Sequence, residues 1–229
     1  MSIGISENFK QSFAFTKENL LGKIRNWVIL FVLAFFTGTF LTELFPDLEL
    51  LWAILTIAAG VIMSGLVIRI YAGGEVTFAH FGTVVIKGIG YNVAALVYLL
   101  PALILAVISV VVMLMPIGSE AELIGIAAGM VILIVCLILA ILASAFIIPA
   151  AVNYAHSTGV GAAFRISEIR SRIRNAGWGV FIGSFLIFLV IGTILAAVMY
   201  IPYIGGILYA LANSFFIVLE AKYFANLLS

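Results

Sequence analysis

The residues able to do chemistry are few, and they gather at the ends of long apolar runs. Arg165, Arg170, Arg172 and Arg174 fall within ten residues of one another. Cations at that density attract anionic lipid head groups, by about 1 kcal/mol for each basic residue near a membrane surface. The same charges would also serve simply to fix topology. Glu220 is the ionisable residue nearest the interior of an apolar run. Beside Lys222 it reads as a snorkelling or paired interfacial carboxylate, or alternatively as a proton or cation ligand. Asn213 is the most polar side chain well inside a run; hydrogen bonding across helices, worth about 0.6 kcal/mol on average, is its default role.

The remaining candidates are weaker. His80 and His156 would need to converge with Glu75 or Glu168 to hold a metal, and their spacing matches no ligand pattern; solvated interfacial imidazoles are the simpler reading. Cys136 is the single cysteine, so a disulfide framework or a Cys-based zinc site within the chain is excluded. In mid-run its thiol behaves as a small hydrophobe. Ser64, Ser109, Ser144, Ser184 and Ser214 have no basic residue to activate them. There is no His-Glu-x-x-His helix, Gly-x-Ser-x-Gly elbow or phosphate-binding glycine loop. No catalytic residue, metal or cofactor is expected, and the chain does not read as an enzyme.

The elements that would position these residues follow from composition. Of 229 residues, 65% are hydrophobic and only 9% charged, against about 25% charged in an ordinary soluble domain. A soluble chain of this kind would expose large apolar patches, and a net charge of +1 gives no reason to expect nucleic acid. A membrane-crossing helix needs about 20 mostly apolar residues. Six runs qualify: Trp27 to Leu44, Leu50 to Ile70, Val93 to Met115, Leu123 to Val152, Val180 to Tyr200 and Ile204 to Glu220. None alternates with the period of two that a membrane β-barrel requires.

Charge gives a separate check. Six spans place all 11 basic residues on one side: Lys10, Lys17, Lys23, Arg25, Arg69, Lys87, the four loop arginines and Lys222. The other side receives Glu43, Asp47, Glu49, Glu120 and Glu122. The positive-inside rule then predicts a cell-membrane, multi-pass protein with both termini cytoplasmic. Residues 1–25 lack the apolar core and cleavage site of a signal peptide.

The expected fold class is an all-α integral membrane protein of six spans in three hairpins, each preceded by a cytoplasmic amphipathic helix. As a single membrane domain, 1–229 divides into an amphipathic N-terminus (1–25), hairpin one (27–70), an amphipathic loop (71–92), hairpin two (93–152), a basic amphipathic loop (153–178) and hairpin three (180–220). The apolar stripes are Phe9, Phe13, Leu20 and Ile24; then Phe78, Phe81, Val85 and Ile89; then Ala162, Ile166, Ile169, Ile173 and Ala176. Glu168 and Arg172 are spaced for a favourable i, i+4 pair.

Each amphipathic segment ends in a basic residue and an aromatic, in KIRNW, KGIGY and RIRNAGW. The even-numbered spans close on Tyr71, Tyr154 and Tyr223. Three diverged copies of one unit would account for the shared order; interfacial preference for aromatics and bases accounts for the residues singly. Small-xxx-small pairs at Gly60–Ser64, Gly125–Gly129, Ala140–Ser144, Gly179–Gly183 and Ala210–Ser214 predict close helix approaches. Pro101 and Pro149 could kink spans three and four.

The order of GLVIRIYAGGEVTFAHF after the second span, KGIGYNVAALVYLLPALIL into the third, and STGVGAAFRISEIRSRIRNAGWGVF before the fifth resembles a family of prokaryotic membrane proteins, common in archaea, catalogued as domain of unknown function 4013. The resemblance implies a topology and brings no catalytic residue. The functional expectation is a non-enzymatic polytopic membrane protein whose partners are membrane lipids, other membrane proteins or a second copy of itself. The alternative is a small transporter or channel for a neutral or lipidic substrate, disfavoured by the absence of midplane charges.

Overall fold

The computed structural model describes residues 4–38, 46–114 and 118–229, and the regular elements among them are all helical. They are α1 (Ile5–Leu20), α2 (Ile24–Phe36), α3 (Glu49–Tyr71), α4 (Phe81–Leu114), α5 (Gly118–Ala155), α6 (Ile166–Ala176), α7 (Trp178–Val198) and α8 (Gly205–Leu228), with short 3-10 turns at Pro46–Leu48 and Val160–Phe164. Five of these, α3, α4, α5, α7 and α8, are long and apolar enough to cross a membrane. A sixth span results if α1 and α2, bent by 97° at their junction, count as one. The far end of the first expected span, with Glu43 and Leu44, lies outside the described residues, as does Met115.

Several boundaries differ from the hydropathy reading, and α2 already ends at Phe36, short of the expected Leu44. Helix α4 begins at Phe81, so most of the expected second loop is continuous with the third span. Nothing from Phe81 to Asn92 breaks a helix: there is no proline, and its glycines take helical backbone. Helix α8 continues to Leu228, eight residues beyond Glu220. Pro101 and Pro149 both lie inside helices, α4 and α5 respectively.

The chain forms two compact units, Met1–Asn92 with Pro149–Ser229, and Val93–Ile148. In the second unit the middle parts of α4 and α5 run together. Ser109 Oγ donates to the Gly129 carbonyl at 2.7 Å, and Cys136 Sγ donates to that of Ala102 at 3.1 Å. A Cβ at Gly129 would collide with Met113, and one at Gly125 would lie 3.3 Å from the Val112 carbonyl oxygen. This pair therefore sits at a close helix approach, as its spacing predicts.

In the first unit, Ala34 of α2, Met63 of α3 and Ala210 of α8 meet in a buried cluster. Ser214, fully buried one turn beyond Ala210, accepts the Trp27 indole N–H at 3.0 Å. The closest crossing is between α3 and α4. A Cβ on Gly65 would strike the Val84 carbonyl, and one on Gly88 would strike that of Val61. By contrast Gly60, Gly179 and Gly183 face open space, so these three glycines mediate no close approach among the described residues.

Helix α1 packs its polar face, with Leu20, against the rest of the chain. Asn8, Ser12, Thr16 and Asn19 are its buried positions with Leu20, while Phe9 and Phe13 are 43% and 45% exposed. The reason is hydrogen bonding. Asn8 Nδ2 donates to the Tyr223 carbonyl at 3.1 Å and its Oδ1 accepts from Asn226 Nδ2 at 3.1 Å. Ser12 and Thr16 satisfy themselves on the carbonyls one turn back. Phe13 instead stacks at a tilt on Phe215 of α8, at 5.6 Å. Phe81 and Ile89 of the second stripe are likewise exposed, and between Phe81 and Asn92 the buried residues are Val84, Gly88 and Gly90.

Candidate functional site

Helix α6 is short, and its placement depends on contacts at both ends. It follows the 3-10 turn, and it stops at Gly177, whose φ of +89° is a backbone conformation that favours glycine. Ile169, Ile173 and Ala176 are buried within the first unit, while Ile166 is 50% exposed. Successive helical residues differ by about 100° in direction, so the four arginines cannot share one environment.

Arg172 turns inward. Its Nε donates to Asn153 Oδ1 at 3.1 Å and its Nη1 to the Leu228 carbonyl at 2.8 Å. That carbonyl belongs to the last turn of α8, where helix carbonyls lack internal partners and a cation is favoured. Asn153 in turn donates to the Ala162 carbonyl at 2.9 Å and to Glu168 Oε2 at 2.8 Å. The expected direct pair of Glu168 with Arg172 is therefore replaced by an Asn153 bridge. Glu168 forms its ion pair with Arg165 at 3.2 Å. The Asn153 hydrogen bond, then the Arg165 hydrogen bond and charge, hold the Glu168 carboxyl below its ordinary pKa.

Arg170 and Arg174 point the other way. Both are exposed, and neither has a hydrogen bond or ion pair among the described residues. With Ser167, Ser171 and Trp178 they line a groove of about 340 Å³. Trp178 opens α7 and is 42% exposed. Two guanidiniums, two hydroxyls and an indole on one open face can bind an anion through charge-assisted hydrogen bonds.

Glu220 and Asn213 do not join this face; both lie on α8, half-buried. Glu220 has the Tyr71 and Tyr91 side chains within electrostatic range. It does not pair with Lys222, whose Nζ lies 4.9 Å from the centre of the Phe15 ring instead. Asn213 has no hydrogen-bond partner among the described residues. His156, one residue beyond α5, donates through Nδ1 to the Val152 carbonyl of that helix at 2.9 Å.

The sequence reading missed the clamp on residues 72–80. Helix α3 ends with Gly73 at φ +83°, with Gly74 N–H on the Arg69 carbonyl and Gly73 N–H on that of Ile70; this pattern closes a helix through a left-handed glycine. Asn19 and Asn26 then grip both polar groups of buried Val76, accepting its N–H at 3.2 Å and donating to its carbonyl at 2.6 Å. Lys23 pairs with Glu75, and this contact holds the Glu75 carboxyl below its ordinary pKa. The available signal was Asn19 ahead of the KIRNW step and Asn26 within it.

Several helices long and apolar enough to cross a bilayer, with few charged residues, give the chain the make-up of a multi-pass membrane protein. The chain belongs to the family described as Protein of unknown function (DUF4013), which matches residues 49–217. That match takes in α3 to most of α8, with all four loop arginines, and leaves out α1, α2 and Glu220. No curated protein and no solved structure matches the chain.

Proposed function

We propose that this chain is a non-enzymatic membrane protein that engages anionic lipid at the cytoplasmic face of the cell membrane. It crosses the bilayer six times in three hairpins with both termini inside. The observation that carries the reading is the pair Arg170 and Arg174 beside Trp178, unpartnered among the described residues. Interfacial tryptophan sits at head-group depth, which brings the two cations to the level of lipid phosphates. Each basic residue there contributes about 1 kcal/mol of attraction to acidic lipid. Arg165 and Arg172 support the site by anchoring α6. The outward Ile5, Phe9 and Phe13 of α1 add an apolar surface for the acyl boundary, with its polar side held to α8.

The test is the lipid that the full-length chain carries through detergent purification, identified by mass spectrometry. Acidic phospholipid should be enriched over the host membrane. A composition equal to that of the bulk membrane would contradict the reading.

A further inference from the structure

A second cationic site lies away from α6. Where α3 ends and α4 begins, a pocket of about 310 Å³ is lined by Arg69, His80, Thr83 and Lys87 over a floor that includes Ile68, Val84 and Ala155. The glycine crossing of Gly65 and Gly88 brings the two helices together at its base. Both cations are held in place by neutral groups. Arg69 Nη1 donates to the Ala79 carbonyl at 2.7 Å. Lys87 Nζ donates to that of Ser157 at 2.7 Å and sits 4.4 Å from the centre of the Tyr154 ring.

Those contacts fix the positions of the charges and neutralise neither. Among the described residues no carboxylate forms an ion pair with Arg69 or Lys87. The acid that acts electrostatically with Arg69 is Glu75, and Glu75 is paired with Lys23. Two cations lining one partly enclosed, apolar-floored space favour an anion there. Each cation also keeps donors in reserve: a guanidinium has five N–H groups and an ammonium three. His80 and the Thr83 hydroxyl add two further polar groups at the rim.

The geometry points to a binding site for a phosphate group, with Arg69 and Lys87 as its cationic ligands and His80 and Thr83 as further contacts. The apolar floor suits a phosphate that carries a hydrocarbon neighbour, as a phospholipid head group does. The site is independent of Arg170 and Arg174, so it stands or falls apart from the function proposed above.

The test uses the full-length chain in neutral detergent, with bound adducts counted by native mass spectrometry during titration with short-chain phosphatidylglycerol, phosphatidylcholine or inorganic phosphate. Arg69→Gln combined with Lys87→Gln should weaken phosphatidylglycerol binding about thirtyfold, the sum expected for two basic residues, while Arg170→Gln with Arg174→Gln keeps this adduct. Binding of phosphatidylglycerol alone assigns a lipid; inorganic phosphate binding with the same dependence assigns the phosphate group itself, and either result upholds the site. Should the double variant fail to fold, Lys87→Arg should retain binding where Lys87→Gln loses it. His80→Gly gives a further variant with no backbone cost, since His80 sits at φ +57°, and should bind several-fold more weakly. Affinity unchanged in folded Lys87→Gln, or in the folded double variant, would overturn the proposal.

Discussion

Arg172 Nη1 donates to the main-chain carbonyl of Leu228 at 2.8 Å, so a residue in the middle of the most basic helix closes the last turn of the final one. Arg170 and Arg174, two residues to either side, face outward without a partner among the described residues. One cluster of four like charges is thus divided by helix geometry: Arg165 and Arg172 are engaged within the chain, and Arg170 and Arg174 have no partner among the described residues.

This division predicts opposite phenotypes. Arg172→Gln should lower stability by about 1.5–3 kcal/mol, the range for hydrogen bonds to charged groups, as read by unfolding of the full chain in detergent. Arg170→Gln and Arg174→Gln should each stay within about 0.5 kcal/mol of the parent, as surface substitutions do. Equal losses at all three positions would remove the distinction.

The glycines divide in the same way. Gly65→Ala and Gly88→Ala place a Cβ against facing backbone carbonyls and should cost at least about 1–3 kcal/mol through overpacking. Gly60→Ala and Gly183→Ala meet open space and should be neutral, or stabilising by up to about 1 kcal/mol from helix propensity. Melting temperatures of the four variants in one detergent decide the matter. A destabilised Gly60→Ala would show that this glycine packs against a surface outside the described residues.

What the sequence shows and what it hides have distinct physical causes. Long apolar runs locate α3, α5 and α7 within a few residues, because only a helix satisfies its backbone in hydrocarbon. Which face of α1 packs inward is hidden because hydrogen-bond partners on other helices decide it. Phe9 and Phe13 suit an apolar solvent, while Asn8, Ser12, Thr16 and Asn19 do better buried on hydrogen-bond partners. The start of α4 is hidden because amphipathic residues pass into apolar ones with no break. Gly65 and Gly88 escape a search for i, i+4 pairs since each acts singly, on opposite helices. The basic cluster at Arg165 to Arg174 is plain in the sequence, but which arginine turns inward depends on where Asn153 and Leu228 lie.

Acid should loosen the α6 anchor. Hydrogen bonds and charge lower the Glu168 pKa from its ordinary 4.5, so the carboxylate's contribution is complete above about pH 4.5 and is lost as pH falls through the lowered value. Glu168→Gln should remove that part of the acid response. Unfolding midpoints of parent and variant between pH 6 and pH 3, read together, give the difference; identical pH profiles would contradict the assignment.

The six-span topology is checked by labelling. With buried Cys136 replaced by alanine, Ser229→Cys should react with a membrane-impermeant maleimide only after cells are permeabilised. Tyr203→Cys, at a position 92% exposed in the turn between α7 and α8, should react in intact cells. The reverse pattern would invert the protein, and reaction of both in intact cells would change the number of spans.

The central measurement is lipid selectivity of the reconstituted full-length chain, taken as the share of motionally restricted spin-labelled phosphatidylglycerol relative to phosphatidylcholine. The parent should favour phosphatidylglycerol, and the preference should shrink in 1 M salt, where the screening length falls to about 3 Å. Combined Arg170→Gln and Arg174→Gln substitution should reduce it markedly, with Arg165→Gln having little effect. A parent that shows no preference, or a double variant that keeps the parent's preference in full, would contradict anionic-lipid engagement by this face.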